Sequence, residues 1–452
     1  MTEPRLARQF CTARDLGHRL SALKPVEFIP ATEPAGPSVF IDTAVKFQEF
    51  LGFGGAFTEA ASTTLDKMPA PARREIMEAY FSPDKGHGYR LCRTHINSCD
   101  FSLGNYAYTE VESDVGLEHF SIGRDLQSLI PMIREAMALS GGTLKLFASP
   151  WSPPAWMKTN GQMNRGGKLR PEYRRAWADY YVRYIREYER EGVPIWGLTV
   201  QNEPEASQTW DSCLWTGEEE RDFVRDYLGP ALQNAGLGHV KLIIWDHNRD
   251  RMYERAKTVL DDPEAARHVW GVGFHWYGGD HFDNVQMTHD AYPDKHLIFT
   301  EGCQEGGPHT GSWLTGERYA HSIINDLNRW TVAWVDWNLV LDETGGPNHV
   351  GNLCGAPILA DTRAGEILYQ SAYYYIGHFA RFIRPGARRV GCAKTLDALE
   401  ATAFLNADGT VAVVVLNRSE EPVDFFLKTG GLQAKAALPA RGIKTFLFEP
   451  AS

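Results

Sequence analysis

The sequence predicts an α/β protein: a closed parallel barrel of eight β/α units with an attached small β-sandwich domain. Three observations predict it. Eight short apolar runs alternate with helix-period stretches between residues 50 and 382, the pattern of a parallel barrel. After Arg384-Pro-Gly-Ala387 the chain turns to short β-rich segments broken by Asp408-Gly409, Asn417-Arg-Ser419 and Gly430-Gly431, which read as a meander or sandwich. The first strand is not followed by GxGxxG spacing, the mark of the rival open sheet that binds a nucleotide.

The eight candidate strands are Phe50–Phe57, Tyr89–Ile96, Leu144–Ser149, Ile195–Gln201, Val240–Trp245, Val269–Trp276, His296–Thr300 and Val332–Leu339. Helical spacing covers Pro71–Tyr80, Arg124–Ser140, Pro171–Arg190, Glu218–Ala235, Arg251–Asp261, Phe282–Ala291 and Glu317–Arg329, with Glu366–Phe382 after the eighth strand. Pro171 suits the first helical turn, and Tyr173, Trp177, Tyr180, Tyr184 and Tyr188 recur on one face, an aromatic stripe expected to pack on the sheet. Thr216-Gly-Glu-Glu219 has capping-box spacing. Gly52-Phe-Gly54-Gly55 reads as a tight turn at a strand end; bulky Phe53 and Phe57 argue against a phosphate loop. In the sandwich, Leu399–Leu405, Val411–Leu416, Val423–Leu427 and Lys444–Phe448 are strand-like, as are Val26–Ile29 and Ser38–Ile41 before the barrel. Both chain ends are therefore expected to build one β-domain: 1–44 and 383–452 around a (β/α)8 TIM barrel of 45–382.

Composition narrows the function classes. The 452 residues are 43% hydrophobic and 23% charged, ordinary for a globular chain. The best apolar run, Val411–Leu416, is strand-sized, far below the roughly 18 residues of a membrane span. A formal net charge of −11 opposes binding to nucleic acid or an anionic membrane surface. Seven cysteines without a CxxC pair fit reduced thiols. Charges of both signs at the N-terminus, with no apolar signal core, lead to the expectation of a cytoplasmic protein. Neither a cofactor nor a metal is expected, and a small glycoside or oligosaccharide is the expected partner.

Chemistry concentrates at the strand ends, where a barrel of this kind places its functional groups. Glu203 ends the run Trp196–Pro204 and Glu301 ends Leu297–Gly302, 98 positions apart on strands four and seven. A carboxylate ending a buried strand is costly to dehydrate, so it has a task there. Strand two leads into Arg93-Thr-His95-Ile-Asn-Ser-Cys-Asp100, strand three into Ser149-Pro-Trp151, strand six ends at His275-Trp-Tyr277 and strand eight carries Asp336-Trp337-Asn338. Two carboxylates facing across a mouth are what glycosidic cleavage with retention requires: one attacks the anomeric carbon, the other gives and takes the proton. Glu203, next to the amide of Asn202, suits the proton donor and Glu301 the nucleophile. Arg93 and Tyr277 are expected to keep Glu301 ionised and aimed, and Glu203 is expected to be raised by its anionic neighbour.

Leu144–Trp156 (LKLFASPWSPPAW), Thr199–Pro204 (TVQNEP), Phe274–Tyr277 (FHWY), Phe299–Cys303 (FTEGC) and Trp334–Asn348 (WVDWNLVLDETGGPN) resemble glycoside hydrolase family 30, most of all its glucosylceramidase (acid β-glucosidase) branch. Ser98–Ser102, Gly377–Gly386 and Ala412–Ser419 extend the likeness over about residues 40 to 450. The resemblance implies a retaining barrel enzyme with an attached sandwich, Glu203 as acid/base and Glu301 as nucleophile. It further implies that Asp100, Trp151, Asn202 and Trp337 bind the terminal glucose, with Asn352 near the site and His275 in support. The loop Gly345–His349 has His349 where lipid-hydrolysing relatives usually carry Trp.

The expected function is thus a retaining β-glucosidase, with a β-1,6-glucanase or β-xylosidase of the same family as the alternative. A non-catalytic glycan-binding barrel would have lost one of the two glutamates. A metal-dependent hydrolase would need His95, His247 and His275 to converge, and they lack ligand spacing.

Overall fold

The computed structural model describes residues 5–31 and 36–450. Met1–Pro4, part of the segment on which the location expectation rests, fall outside them. Eight parallel strands close a barrel: Gly52–Phe57 (β1), Leu91–Ile96 (β2), Lys145–Pro150 (β3), Gly197–Thr199 (β4), Lys241–Asn248 (β5), Val269–His275 (β6), His296–Glu301 (β7) and Thr331–Asn338 (β8). Neighbours in sequence are neighbours in space, and β8 pairs with β1 to complete the ring. Leu91, Phe147, Ile243, Ile298, Ala333 and Val335 fill its interior. Side chains nearer the C-terminal ends are polar instead.

Helices return along the outside. The helix Arg174–Arg190 follows a single 3-10 turn at Pro171–Tyr173 and buries Trp177, Tyr180, Tyr184 and Tyr188. Thr216 and Glu219 form the reciprocal capping box. The next helix is interrupted by a π-turn at Val224–Leu228 before it continues through Gly229–Asn234.

Three expectations are corrected. Residues 124–128 are turns, and the helix begins only at Leu129. Arg124 is committed to Glu59, and Asp125 accepts hydroxyl bonds from Tyr106, Tyr108 and Tyr188, which holds this stretch out of the helical path. Glu366–Tyr369 is a strand, paired antiparallel with Ile358–Asp361, and the helix occupies only Ser371–Ala380. The Asp361 side chain accepts the N–H groups of Arg363 and Ala364, and Gly365 at φ 73° closes this hairpin. The glycines at 52, 54 and 55 lie inside β1 rather than in a turn after it. A Cβ at Gly54 would fall on the Leu91 carbonyl, so the residue is small because β2 passes close by.

The sandwich is a single ten-stranded sheet that curls on itself. Its order runs Ser21–Glu27, Leu6–Ala13, Gly442–Phe448, Val411–Asn417, Leu399–Leu405, Arg388–Lys394, Ser38–Glu49, Val423–Thr429, Leu432–Leu438 and Ile29–Pro30. Strands distant in that order face each other across a second core: the rings of Phe425 and Phe446 are 6.1 Å apart. The two domains are joined by buried polar contacts. His378, kept neutral by burial, bonds Thr12 and Thr445 at 2.9 Å each.

Replacing Gly54 by Ala is expected to lower stability by at least ~2 kcal/mol, the scale of overpacking against a backbone that cannot recede. Urea unfolding of the full chain measures it, and an unchanged midpoint would contradict the close approach of β1 and β2.

Candidate active site

Arg93 is the centre of the site. It is fully buried within β2 and spends its donors on four groups. Nε bonds Ser149 at 3.0 Å, Nη1 bonds Glu301 Oε2 at 2.5 Å, and Nη2 bonds both Asn202 Oδ1 and Asp246 Oδ2 at 2.8 Å. Its guanidinium lies 4.8 Å from the ring centre of Trp151 and 5.5 Å from that of Trp337. Those two indoles stack on each other at 5.1 Å, so they form one wall, with no room for a sugar between them.

A bulge in β5 supplies Asp246. Trp245 and Asp246 both have left-handed backbone, φ 70° and 55°, and the pairing with β6 skips Asp246. Such an extra residue re-aims the side chain, here into the barrel mouth. Asp246 accepts from Arg93, from Thr199 at 2.6 Å and from His275 Nε2 at 3.0 Å. Burial alone would raise it, yet these donors hold it below the usual carboxylate range. Glu203 is strained too, at φ 47°, and its N–H donates to the Asp246 carbonyl at 3.0 Å. A non-glycine residue there costs about 1–3 kcal/mol, which the surrounding hydrogen bonds must offset.

The two glutamates converge. Single oxygens of Glu203 and Glu301 and a ring nitrogen of His275 all lie within 4.8 Å of one another. Tyr277 donates to Glu301 Oε1 at 2.9 Å, so both oxygens of Glu301 are held by donors. Glu203 Oε1 meets His275 Nδ1 at 3.2 Å and lies 3.9 Å from His247 Nε2.

The protonation pattern reverses the sequence expectation. Burial would raise Glu203, but His247 and His275 outweigh it and bring it below its ordinary value. Glu301 is raised by burial and by the charge of Glu203, against the pull of His275 and Arg93. His275, which burial alone would lower, is raised to about 9 by Glu301, Asp246 and Glu203. The proton of this cluster is therefore held by His275, one hydrogen bond away from Glu203. Asp100 is raised well above the usual carboxylate range by burial and by Glu301, and it accepts from Asn352 at 3.1 Å.

Glu203, Glu301, Asp100, Trp151, Asn202, Tyr277, Trp337 and Asn352 line one cavity of about 240 Å³. That is below the roughly 300–1,000 Å³ of pockets for drug-sized ligands and suits one pyranose with a short extension. Arg93 and His275 lie beneath it, bonded to the lining groups. The three histidines do not meet: His95 bonds Asn97 and receives the Glu59 N–H, while only His275 joins the two carboxylates. Arg93 already neutralises the inner oxygen of Glu301 where a cation would compete for it.

Comparisons with known proteins identify the family. Residues 50–383 match the Glycosyl hydrolase family 30 TIM-barrel domain, and residues 386–446 its beta sandwich domain. The chain belongs to glycosyl hydrolase family 30. It is 37% identical over 422 residues to lysosomal acid glucosylceramidase of Mus musculus, covering 89% of this chain and 82% of that protein. The crystal structure of SrfJ from Salmonella typhimurium superposes with a TM-score of 0.95 at 38% identity, covering 99% of this chain and 100% of that one. The endo-β1,6-glucanase BT3312 superposes at 0.89 with 27% identity, over 99% and 100% of the two chains.

As a family 30 member the chain is an O-glycoside hydrolase acting on a carbohydrate substrate. The sequence reading missed Asp246, Asn248, Gln208, Trp210 and Glu305 in or under this family 30 site. Asp246-His-Asn248 ends β5 and carries the same polar strand-end signal as the six other ends, so it was within reach. Gln208 and Trp210 sit in an aperiodic loop that offers no such signal.

Arg93→Ala leaves Asp246 and Glu301 buried without their cation, and a loss of about 3–5 kcal/mol is expected. Urea unfolding reads it. The double variant with Asp246→Ala is expected to lose less than the sum of the two single losses, because the charges are removed together.

Proposed function

We propose that this hydrolase is a retaining β-glucosidase of glucosylceramidase type, working by double displacement through a covalent glucosyl-enzyme. The separation of the two glutamates carries the reading. Oxygens within 4.8 Å fit the about 5–5.5 Å spacing of a nucleophile and acid/base pair. They leave no room for the water that an inverting enzyme seats across roughly 6.5–9.5 Å. The 37% identity to a glucosylceramidase supports the glucose preference. A β-1,6-glucanase on the same machinery is the second reading, favoured by the 0.89 TM-score to BT3312.

Roles follow from hydrogen bonding. Glu301, held by Arg93 and Tyr277 at its two oxygens, attacks the anomeric carbon as the bond to the leaving oxygen breaks. Glu203 gives that oxygen its proton, drawn across the 3.2 Å contact from His275 Nδ1. In the second step Glu203 takes a proton from water, the water attacks the anomeric carbon, and Glu301 departs. Asn202 has its Oδ1 committed to Arg93, so its NH2 faces the cavity and can donate to the sugar 2-hydroxyl. Asp100, kept protonated or short of charge by burial, can both give and accept a bond at the outer hydroxyls. The stacked Trp151–Trp337 wall packs on the C–H face of the ring.

Glu301→Ala should abolish turnover of an aryl β-glucoside, with added azide restoring part of it as an α-glucosyl azide. Loss without rescue, in a protein that melts normally, would contradict the nucleophile assignment. Glu203→Gln should slow glucosides with poor leaving groups about 10²–10⁴-fold while sparing 2,4-dinitrophenyl β-glucoside; equal damage to both would contradict the acid role.

The pH profile has a worked sign. Glu301 must be ionised, and its raised value places the acid limb above the 4.5 of an ordinary glutamate. The proton shared by Glu203 and His275 is lost as pH rises through about 9, which sets the alkaline limb for unactivated glucosides. His275→Gln should pull that limb down by at least ~1 unit, because a lone carboxyl then holds the proton. An unmoved limb would remove His275 from proton supply.

A further inference from the structure

Asp100 reaches the cavity from the loop after β2, and the protein holds it at few points. Among the described residues, its carbonyl accepts from His349 Nδ1 at 3.0 Å and its carboxyl from Asn352 Nδ2 at 3.1 Å. Both donors belong to one turn in the segment after β8. Asn348 folds that turn: its Oδ1 accepts the N–H groups of Val350 and Asn352 at 3.0 Å each, and its Nδ2 donates to the Asn352 carbonyl at 3.1 Å. One compact turn therefore sets both the place of Asp100 and the direction of its carboxyl.

His349 does not line the cavity; it stands behind Asp100, with its side chain 10% exposed. Its Nδ1 also reaches the Ser102 carbonyl at 3.1 Å. A ring nitrogen that faces two carbonyl oxygens must carry its hydrogen, because carbonyls only accept. The other nitrogen, Nε2, faces Asp211 Oδ2 at 3.7 Å, an ion-pair separation, and among the described residues neither atom has a hydrogen-bond partner. Asp211 is fully buried on the loop after β4, where its Oδ1 accepts from Ser98 at 2.6 Å and from Asn105 at 2.9 Å. His349 thus stands where the loops after β2, β4 and β8 meet.

The stacked Trp151–Trp337 wall packs on C–H groups and holds a sugar with or without a given hydroxyl. Telling whether an outer hydroxyl is present falls to Asp100. A hydrogen bond between oxygens needs a separation of about 2.5–3.0 Å, and a displacement of about 1 Å can cost roughly 100-fold in rate. A phenyl ring in place of the imidazole would fill the same space and make neither bond. The Asp100 carboxyl would then be held from this turn by Asn352 alone.

We propose that His349 is a positioning residue for sugar selection: through its bonds to the Asp100 and Ser102 carbonyls, braced by Asp211, it holds the Asp100 carboxyl in register with the outer hydroxyls of the terminal glucose. This rests on the β-glucosidase reading above and adds the group that sets its selectivity among sugars.

Four substrates with one leaving group test it: 2,4-dinitrophenyl β-glucoside and its 3-, 4- and 6-deoxy forms. The full-length protein is expected to favour the glucoside over at least one deoxy form by about tenfold or more in kcat/KM. His349→Phe and His349→Leu are each expected to shrink that preference about tenfold, by slowing the glucoside while leaving the disfavoured deoxy form nearly unchanged. In an Asp100→Ala background, His349→Phe is expected to change the preference no further. Two variants of different shape guard against one that fails to fold, and each preference is a ratio taken on one preparation, so the folded fraction cancels. No preference in the parent, equal losses on all four substrates, or a further change of preference in the Asp100→Ala background would overturn the positioning role. A parent that does not cleave the dinitrophenyl glucoside would overturn the β-glucosidase reading, and this proposal with it.

Discussion

A permanently charged guanidinium sealed inside the barrel mouth constrains everything around it. Removing a cation from water costs several kcal/mol, and only a full set of partners offsets that. Arg93 has such a set: a hydroxyl, an amide oxygen and two carboxylates, with aromatic faces beside it. Each partner is fixed in turn. The Asn202 amide is oriented by its bond to Nη2, Glu301 is pinned at one oxygen, and Asp246 is fixed where it can bind His275. The geometry of the pocket is a by-product of solving a solvation problem.

The electrostatics of the pair depend on the same arrangement. Burial and the charge of Glu203 outweigh the pull of His275 and of Arg93, which Glu301 shares with Asp246, so Glu301 remains above its ordinary value. His275 lies between Asp246 and Glu203, and their charges with that of Glu301 hold its proton up to about pH 9. Reading the sequence in terms of two carboxylates alone led to a raised Glu203. The structure adds a stronger base 3.2 Å away, His275, and the proton settles there.

Much of this was legible in the chain. The barrel strands show because each is a short apolar run with a polar end, and a parallel strand buried on both faces has to look that way. Glu203, Glu301, Arg93 and Tyr277 stand out as the polar residues such runs do not need. Asp100 and Asn352 came only from likeness to a family, since they sit in loops where spacing carries no information. Strands such as Leu432–Leu438 and Leu6–Ala13 escaped notice because alanine, lysine and arginine dilute their alternation. The Asp246 bulge escaped because one extra residue in a strand leaves no trace in a hydrophobic pattern.

The pairing of Leu6–Ala13 with Gly442–Phe448 bears on how the protein is made. Leu6–Ala13 leaves the ribosome some 430 residues ahead of the strand it pairs with. At about 5–20 residues per second, some 430 intervening residues take roughly 20 to 90 seconds to add. Throughout that interval the nascent chain presents an open edge, a template for pairing with another copy. Chaperone demand during synthesis is thus written into the order of the strands.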